Sequence, residues 1–533
     1  MKKSIGFVCA LALVVPGLGS APLAQQPPTK SNDSGERSDG FCRQPVALPQ
    51  LGPEKPAAQG RDSVERRGAA RPRVGDTSAP PPPAMIMPSP PPPPPPPTEA
   101  SEEGRSILVT GSRVEDSSLE SAAPVMSVGS EDLATADVSD PARSSTSPVP
   151  LPGPRPRPRP QPQPQSGLLT AGEHDDLLNH ELYADYIRKS SVGQVVRDLP
   201  KVDTGRLLTV ELRDSKGRAV PFAEVELRCS DGNSLKLRTV ADGRAVFFPE
   251  HDRLSKEVWV RAAGSEWRKV TLASEPGAQT VKIRSRSAAP PVRKLDLALV
   301  VDVTGSMADE LRYLQAELAS IVGDLKDRHS NLDIRVGFTF YRDKGDAFVT
   351  RTFKLDGDID QAQRHLAAQR ADGGGDYEEA MQDALIRAAN QPWRDDAVKT
   401  LLLVADAPPH NEDIPLTWNA TEHLRNSRVH IVPVGASGVA DTAEYVMRAM
   451  AAVTQSRYTF LTEDSGIGNS KAPPAIDCYL VTRLDQLLRR VIDSQLSGRR
   501  IEPEKDEVIR SVGQYDAGRC ILPPDFGNRE QPA

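Results

Sequence analysis

An acid and two hydroxyls stand where a strand built for the core would simply end. Residues 297–307 read LALVVDVTGSM, and Asp302, Thr304 and Ser306 alternate along the chain as it leaves the apolar run. Their side chains can therefore converge on one point above a sheet edge. One carboxylate and two hydroxyl oxygens, with no histidine or cysteine among them, are hard donors that suit Mg²⁺, Ca²⁺ or Mn²⁺ and not zinc. An Asp at the end of an apolar strand is also often a helix N-cap, and Thr304 or Ser306 could cap the following helix with no metal at all. This loop on its own leaves both readings open.

Enzymatic readings of the same residues fail on chemistry. An aspartic protease needs Asp-Thr-Gly twice, and Val303 splits the candidate at Asp302. A haloacid-dehalogenase-type phosphatase needs a second Asp two positions after its nucleophile as general acid, and Thr304 occupies that place. No G-x-S-x-G, H-E-x-x-H or P-loop occurs. Tyr341, Arg342 and Asp343 end a strand expected to finish on the same face as Asp302. They are placed either to rim that point or to form a tight turn closed by Asp343 and Gly345, and the turn is the plainer reading.

The elements that must position these groups are legible from periodicity. LDLALVVD reads as a parallel strand buried on both faces, and ELRYLQAELASIVGDL as a helix with its apolar stripe on Leu311, Leu314, Leu318, Ile321, Val322 and Leu325. LDIRVGFTFY, FVTRTF, KTLLLVAD, RVHIVPVG and RYTFL add strands, with helical segments between most of them. Over 294–496 this alternation predicts an α/β, doubly wound, Rossmann-like sheet, whose sites belong at the carboxyl ends of its strands. Asp302 and Asp406 both fall at such ends.

Ahead of it, residues 206–285 switch to period two. Seven short strands separated by turns such as DSKG, SDGN and ADGR predict an antiparallel β-sandwich. GRAVPFAEVELR followed by VADGRAVF resembles carboxypeptidase-regulatory-like and immunoglobulin-like modules, which space or bind. Residues 167–200 carry helical spacing at Leu177, Leu178, Leu182, Tyr183 and Ile187 and predict a short amphipathic helix. From 25 to 165 proline, serine, alanine and arginine dominate, including PPPPPPP and PGPRPRPRPQPQPQ, which predicts a disordered, extended tether with no packed core.

The D-x-T-x-S loop after an apolar strand resembles the metal-ion-dependent adhesion site of von Willebrand factor type A domains, and the resemblance extends over 294–496. It implies a metal site closed by a threonine on a second loop and an aspartate on a third. The third loop matches, since TLLLVADAPPH puts Asp406 directly after a strand, with DAPPH in place of the usual Asp-Gly turn. The second loop is ADGGGDYEEAM, where Asp376 stands at or beside the family's threonine. That departure resembles a bacterial and kinase-associated subgroup with GGGD and DAP-type loops, and leaves open whether Asp376 binds metal directly or through water. The implied ligand set is Asp302, Thr304, Ser306, Asp376 and Asp406, holding Mg²⁺, Ca²⁺ or Mn²⁺ with a position free for an acidic side chain of a protein partner. Glu378 and Glu379 stand at a helix start, where acids favour the dipole, and read as structural. His410 reads as a loop residue.

Charge and targeting narrow the setting. A net charge of -7 offers no broad basic surface, which argues against nucleic acid. Residues 1–24 place Lys2 and Lys3 before an apolar stretch and then small residues, the build of a secretory signal. No later stretch reaches the roughly 20 apolar residues of a transmembrane helix. An island at 106–140, with ILVTGSR and PVMSV, resembles the onset of the plug domain of TonB-dependent receptors and suggests a Gram-negative envelope. Cys478 and Cys520 are the expected disulfide, flanking a C-terminal helix, while Cys229 reads as a buried small hydrophobe. The expectation is an exported, non-enzymatic binding protein with a tail over 497–533. A structural envelope protein with a vestigial site, or a hydrolase built on Asp376, Glu379 and His410, are the competing classes.

Overall fold

The computed structural model describes residues 27–28, 40–54 and 163–521. The expected signal at 1–24, the plug-like island at 106–140 and most of the tether at 25–165 lie outside the described residues.

Three elements come first: β1 (Thr170–His174), α1 (His180–Lys189) and α2 (Ser191–Val195). Seven strands follow: β2 (Arg206–Arg213), β3 (Glu224–Cys229), β4 (Ser234–Arg238), β5 (Arg244–Phe247), β6 (Glu257–Ala262), β7 (Arg268–Thr271) and β8 (Gly277–Arg284). They form two sheets, β5-β2-β8 and β4-β3-β6-β7, whose apolar residues, among them Leu208, Val210, Leu227 and Val260, share one core. Of the five pairings in these sheets four are antiparallel as expected, but β2 and β8 run parallel, with Arg206 opposite Gly277. The chain reaches β8 from β7 in the other sheet, so no hairpin sets its direction against β2.

The second module comprises β9 (Lys294–Asp302), α3 (Leu311–Arg328), β10 (Asp333–Tyr341), β11 (Thr350–Asp356), α4 (Ile359–Ala367), α5 (Met381–Ala389), β12 (Val398–Ala405) and α6 (Ile414–Asn426). It continues through β13 (Val429–Gly435), α7 (Asp441–Val453), β14 (Tyr458–Leu461), β15 (Tyr479–Arg483), α8 (Leu484–Ser497) and β16 (Arg510–Val512). The sheet order is β11-β10-β9-β12-β13-β14-β1-β15-β16, and β10, β9, β12, β13 and β14 are parallel to one another. Along β9, Leu297, Leu299 and Val301 face the core built with α3, while Ala298 and Val300 face the core built with α5. Burial on both faces is why this strand is apolar without interruption.

Two stretches depart from expectation. Residues 170–174 are a strand inserted between β14 and β15, antiparallel to both, and the helix begins only at His180. The strand is hidden because its core-facing groups are charged: Glu173 is fully buried between Arg457 at 2.6 Å and Arg490 at 2.7 Å. Just beyond it Asp176 meets Arg448 at 2.7 Å. The sheet also takes β16 from the expected tail, so it extends past both ends of 294–496.

Residues 40–54, read as tether, lie against the folded unit without regular secondary structure. Cys42 is disulfide-bonded to Cys229, so Cys229 is not the free small hydrophobe its strand setting suggests. The Val46 main chain exchanges hydrogen bonds with the Asn419 amide on α6, and Glu54 accepts from the Thr352 N–H and hydroxyl on β11. Cys478 and Cys520 are bonded as expected.

Candidate metal centre

Parallel pairing of β9 with β12 sets Val301 beside Val404, so the chain delivers Asp302 and Asp406 to the same end of the sheet. Asp302, at the end of β9, is fully buried. Its Oδ1 accepts from the Thr304 N–H at 2.9 Å and the Thr304 hydroxyl at 2.6 Å, and that hydroxyl lies 3.0 Å from the Ser306 hydroxyl. A 3-10 turn over Gly305–Asp309 separates these residues from α3, whose N-cap position is Glu310 without a side-chain cap bond. Thr304 and Ser306 therefore do not cap the helix. Their hydroxyls are turned to the carboxylates instead.

The second loop lies against the first because it is glycine-rich. Gly373 and Gly374 both have left-handed φ, 82° and 75°. A Cβ on Gly373 would strike the Asp346 carboxylate, and one on Gly374 would sit 2.9 Å from Glu379 Oε1 and 3.4 Å from Thr304 Cβ. Main-chain bonds from Gly305 N to the Gly373 carbonyl and from Asp372 N to the Val303 carbonyl then fasten the two loops together.

Asp376 on this loop is exposed, and its carboxylate groups with Asp343 and His410, the three ligand atoms lying within 4.8 Å of one another. His410 Nε2 is 2.6 Å from Asp343 Oδ1, so the loop histidine is tied to the end of β10. The turn expected after Tyr341 is present, with Asp346 N donating to the Asp343 carbonyl, yet the Asp343 side chain is buried and turned to His410. Arg342 leaves the centre to pair with Asp372 at 3.3 Å. The Tyr341 phenol is held well above its ordinary range by burial and then by Asp302.

Glu379, read from the sequence as a structural acid at a helix start, lies close to the first loop. It precedes α5 instead of lying in its first turn, and is only 2% exposed. Its N–H donates to the Pro408 carbonyl, and it bridges to Pro409 in the third loop, which draws the side chain inward. No spacing signal marks this, because the contact is made with a loop 30 positions away in the chain. Burial, then Asp302, Asp343, Asp406 and Asp346, push its carboxyl up to about 9.

The electrostatics of the centre are those of stranded carboxylates. Burial first, then Asp406, raises Asp302 to about 7, and burial raises Asp406 although the Ser306 hydroxyl opposes the shift. Asp302 Oδ2, Glu379 Oε2 and Asp406 Oδ1 are buried with no hydrogen-bond partner, and among the described residues no basic side chain pairs with any of the three acids. Like charges held together out of water either take up protons or gather a cation. The donor set is all oxygen, which fits Mg²⁺, Ca²⁺ or Mn²⁺.

The family model for the von Willebrand factor type A domain matches residues 296–470. These residues form a type A domain. The match runs from within β9 past β14, so the inserted β1 and strands β15 and β16 widen the type A domain's sheet beyond the matched residues. Two curated proteins are similar over short stretches. An alpha-protein kinase, vwkA, of Dictyostelium discoideum is 31% identical over 121 residues, covering 22% of this chain and 19% of that protein. A putative ariadne-like RING finger protein of Acanthamoeba polyphaga mimivirus is 37% identical over 123 residues, covering 22% of this chain and 11% of that protein. A solved structure, conserved hypothetical protein BatB from Bacteroides thetaiotaomicron, aligns with 38% of this chain and 98% of its own at 12% identity and a TM-score of 0.27.

Proposed function

We propose that this chain is an exported binding protein whose type A domain holds a divalent cation and uses it to engage another protein. The observation that carries the reading is the pair of buried carboxylates, Asp302 and Asp406, each with an unpartnered oxygen and, among the described residues, no basic side chain paired with it. Asp302, Thr304, Ser306 and Asp406 would hold the ion, with the second loop, where Asp376 was expected, completing the shell. A bound cation supplies a Lewis-acidic position that an oxygen of a partner fills, without covalent change. The chain's own residues do the rest: the glycine loop closes on the first loop, and Tyr377, whose hydroxyl reaches the Asp406 and Gly438 carbonyls, braces the third.

Export is supported by the two disulfides, Cys42–Cys229 and Cys478–Cys520, which suit an oxidising compartment, and by the signal-like N-terminus. Among the described residues no helix is long and apolar enough to cross a membrane. The seven-stranded module fits a spacer or a second binding module, and a Gram-negative envelope is the setting we favour.

The test is a thermal melt of the mature chain in chelator and then with millimolar Mg²⁺, Ca²⁺ or Mn²⁺, beside Asp302→Ala. An ion at about 100 times its dissociation constant adds roughly 2.7 kcal/mol. We expect wild type to gain and Asp302→Ala not to. If neither shifts, the binding reading falls and a structural protein with a vestigial site replaces it.

A further inference from the structure

We infer that Glu379, and not Asp376, is the second-loop carboxylate of the metal centre. The inference rests on the proposed cation site and specifies how this chain builds it.

Three observations carry it. First, Glu379 is buried and the Asp376 side chain is exposed, although both lie on the same loop. Second, Glu379 Oε2 has no hydrogen-bond partner, matching Asp302 Oδ2 on the first loop and Asp406 Oδ1 on the third, so each loop contributes one orphaned carboxylate oxygen. Asp376, by contrast, groups with Asp343 and His410, a set that includes neither Asp302 nor Asp406. Third, the backbone is arranged around this side chain: Gly374 leaves room for Glu379 Oε1 beside Thr304, and the bridge to Pro409 holds the main chain of residue 379 against the third loop. A carboxylate that only capped α5 would stand in solvent at the helix N-terminus, and this one is buried.

The charge count gives the ligand class. A dication among three carboxylates retains a net negative charge, so an approaching acid is repelled and a neutral oxygen is favoured at the free position. The centre therefore suits a hydroxyl or amide carbonyl of the partner, in place of the acidic side chain that the family pattern implies.

The competing reading is that Glu379 is permanently protonated and only fills space. Glu379→Gln separates the two, because glutamine reproduces the neutral acid in shape and removes only the charge. Titration calorimetry of the mature chain with Mn²⁺ is the measurement. We expect Glu379→Gln to weaken Mn²⁺ at least tenfold and Asp376→Asn to change it less than twofold, with the melting temperature in chelator of Glu379→Gln no lower than that of wild type. If wild type binds Mn²⁺, Asp302→Asn abolishes binding and Glu379→Gln leaves it within twofold, the inference is overturned while the binding function stands. If wild type binds no Mn²⁺, the proposed function fails and takes the inference with it. Solvent-proton relaxation of the Mn²⁺-loaded chain tests the ligand class: excess acetate should displace water from the ion in Glu379→Gln and not in wild type. Displacement in wild type would overturn the preference for neutral oxygen.

Discussion

At the scale of residues, the centre is defined by what its acids lack. Asp302 is hydrogen-bonded on one oxygen only, and the raised position of its titration is the cost of burial next to Asp406. A carboxyl that titrates near 7 in the fold and near 3.8 when exposed favours the fold while protonated, so metal-free protein loses stability as pH rises through that interval. The loss is on the order of a few kcal/mol. Melts in chelator at stepped pH should show this slope in wild type, flattened in Asp302→Asn and abolished by saturating Mg²⁺; a slope unchanged in Asp302→Asn would assign it to other groups. The first and third loops of the site were legible at this scale, since Asp302 and Asp406 follow apolar strands directly. Glu379 was not, because its side chain is turned inward by a bridge to Pro409 that no local pattern encodes.

At the scale of elements, β1 shows how a charged strand can occupy the middle of a sheet. Glu173 sits between Arg457 and Arg490, and the Glu317 carboxylate on α3 receives the N–H groups of Gly167, Leu168 and Leu169 as the chain enters. Removing one partner leaves buried charge uncompensated, so Glu173→Gln should cost about 3–5 kcal/mol, measured by chemical denaturation. Despite its burial, the two arginines hold Glu173 down to about 2, against 4.5 for the free acid. Its contribution is therefore present above 4.5 and lost as pH falls towards 2, a window mostly below that of Asp302 and opposite to it in sign. Acid titration of wild type beside Glu173→Gln checks this, and parallel curves would show that the pair contributes nothing. Periodicity located β9, α3 and β12 because each buries apolar residues at a regular spacing. It misread TAGEH for the complementary reason: ion pairs made with residues some 280 to 320 positions away satisfy that strand, and they leave no apolar period.

At the scale of the whole folded unit, the strand module and the type A domain are joined by more than the linker between β8 and β9. Arg425 on α6 forms a buried pair with Asp252 at 2.7 Å, and Val246 and Phe248 enter the core that α5, α6 and α7 share. Residues 40–54 add a strap, fastened by Cys42–Cys229 at one end and by Glu54 on β11 at the other. The disulfide closes a chain separation of 187 residues, and a Cys42→Ser, Cys229→Ser double variant should lose about 2–5 kcal/mol. It should also become sensitive to proteolysis near residue 42 while keeping its metal response, since the bond lies in the strand module. Unchanged stability and proteolysis would show that the strap is held by its hydrogen bonds alone.

The sequence by itself determined the doubly wound type A core, the seven strands ahead of it, the loops that carry Asp302 and Asp406, and the Cys478–Cys520 pair. These rest on local periods and on residues that mark strand ends, which are properties of short stretches. Only the tertiary structure decided the insertion of β1, the parallel pairing of β2 with β8, the Cys42–Cys229 bond, and the inward turn of Glu379 beside an outward Asp376. Each of those depends on a partner far along the chain. Which charge is buried, and against what, is settled by the fold as a whole, because an isolated segment leaves every carboxylate in water.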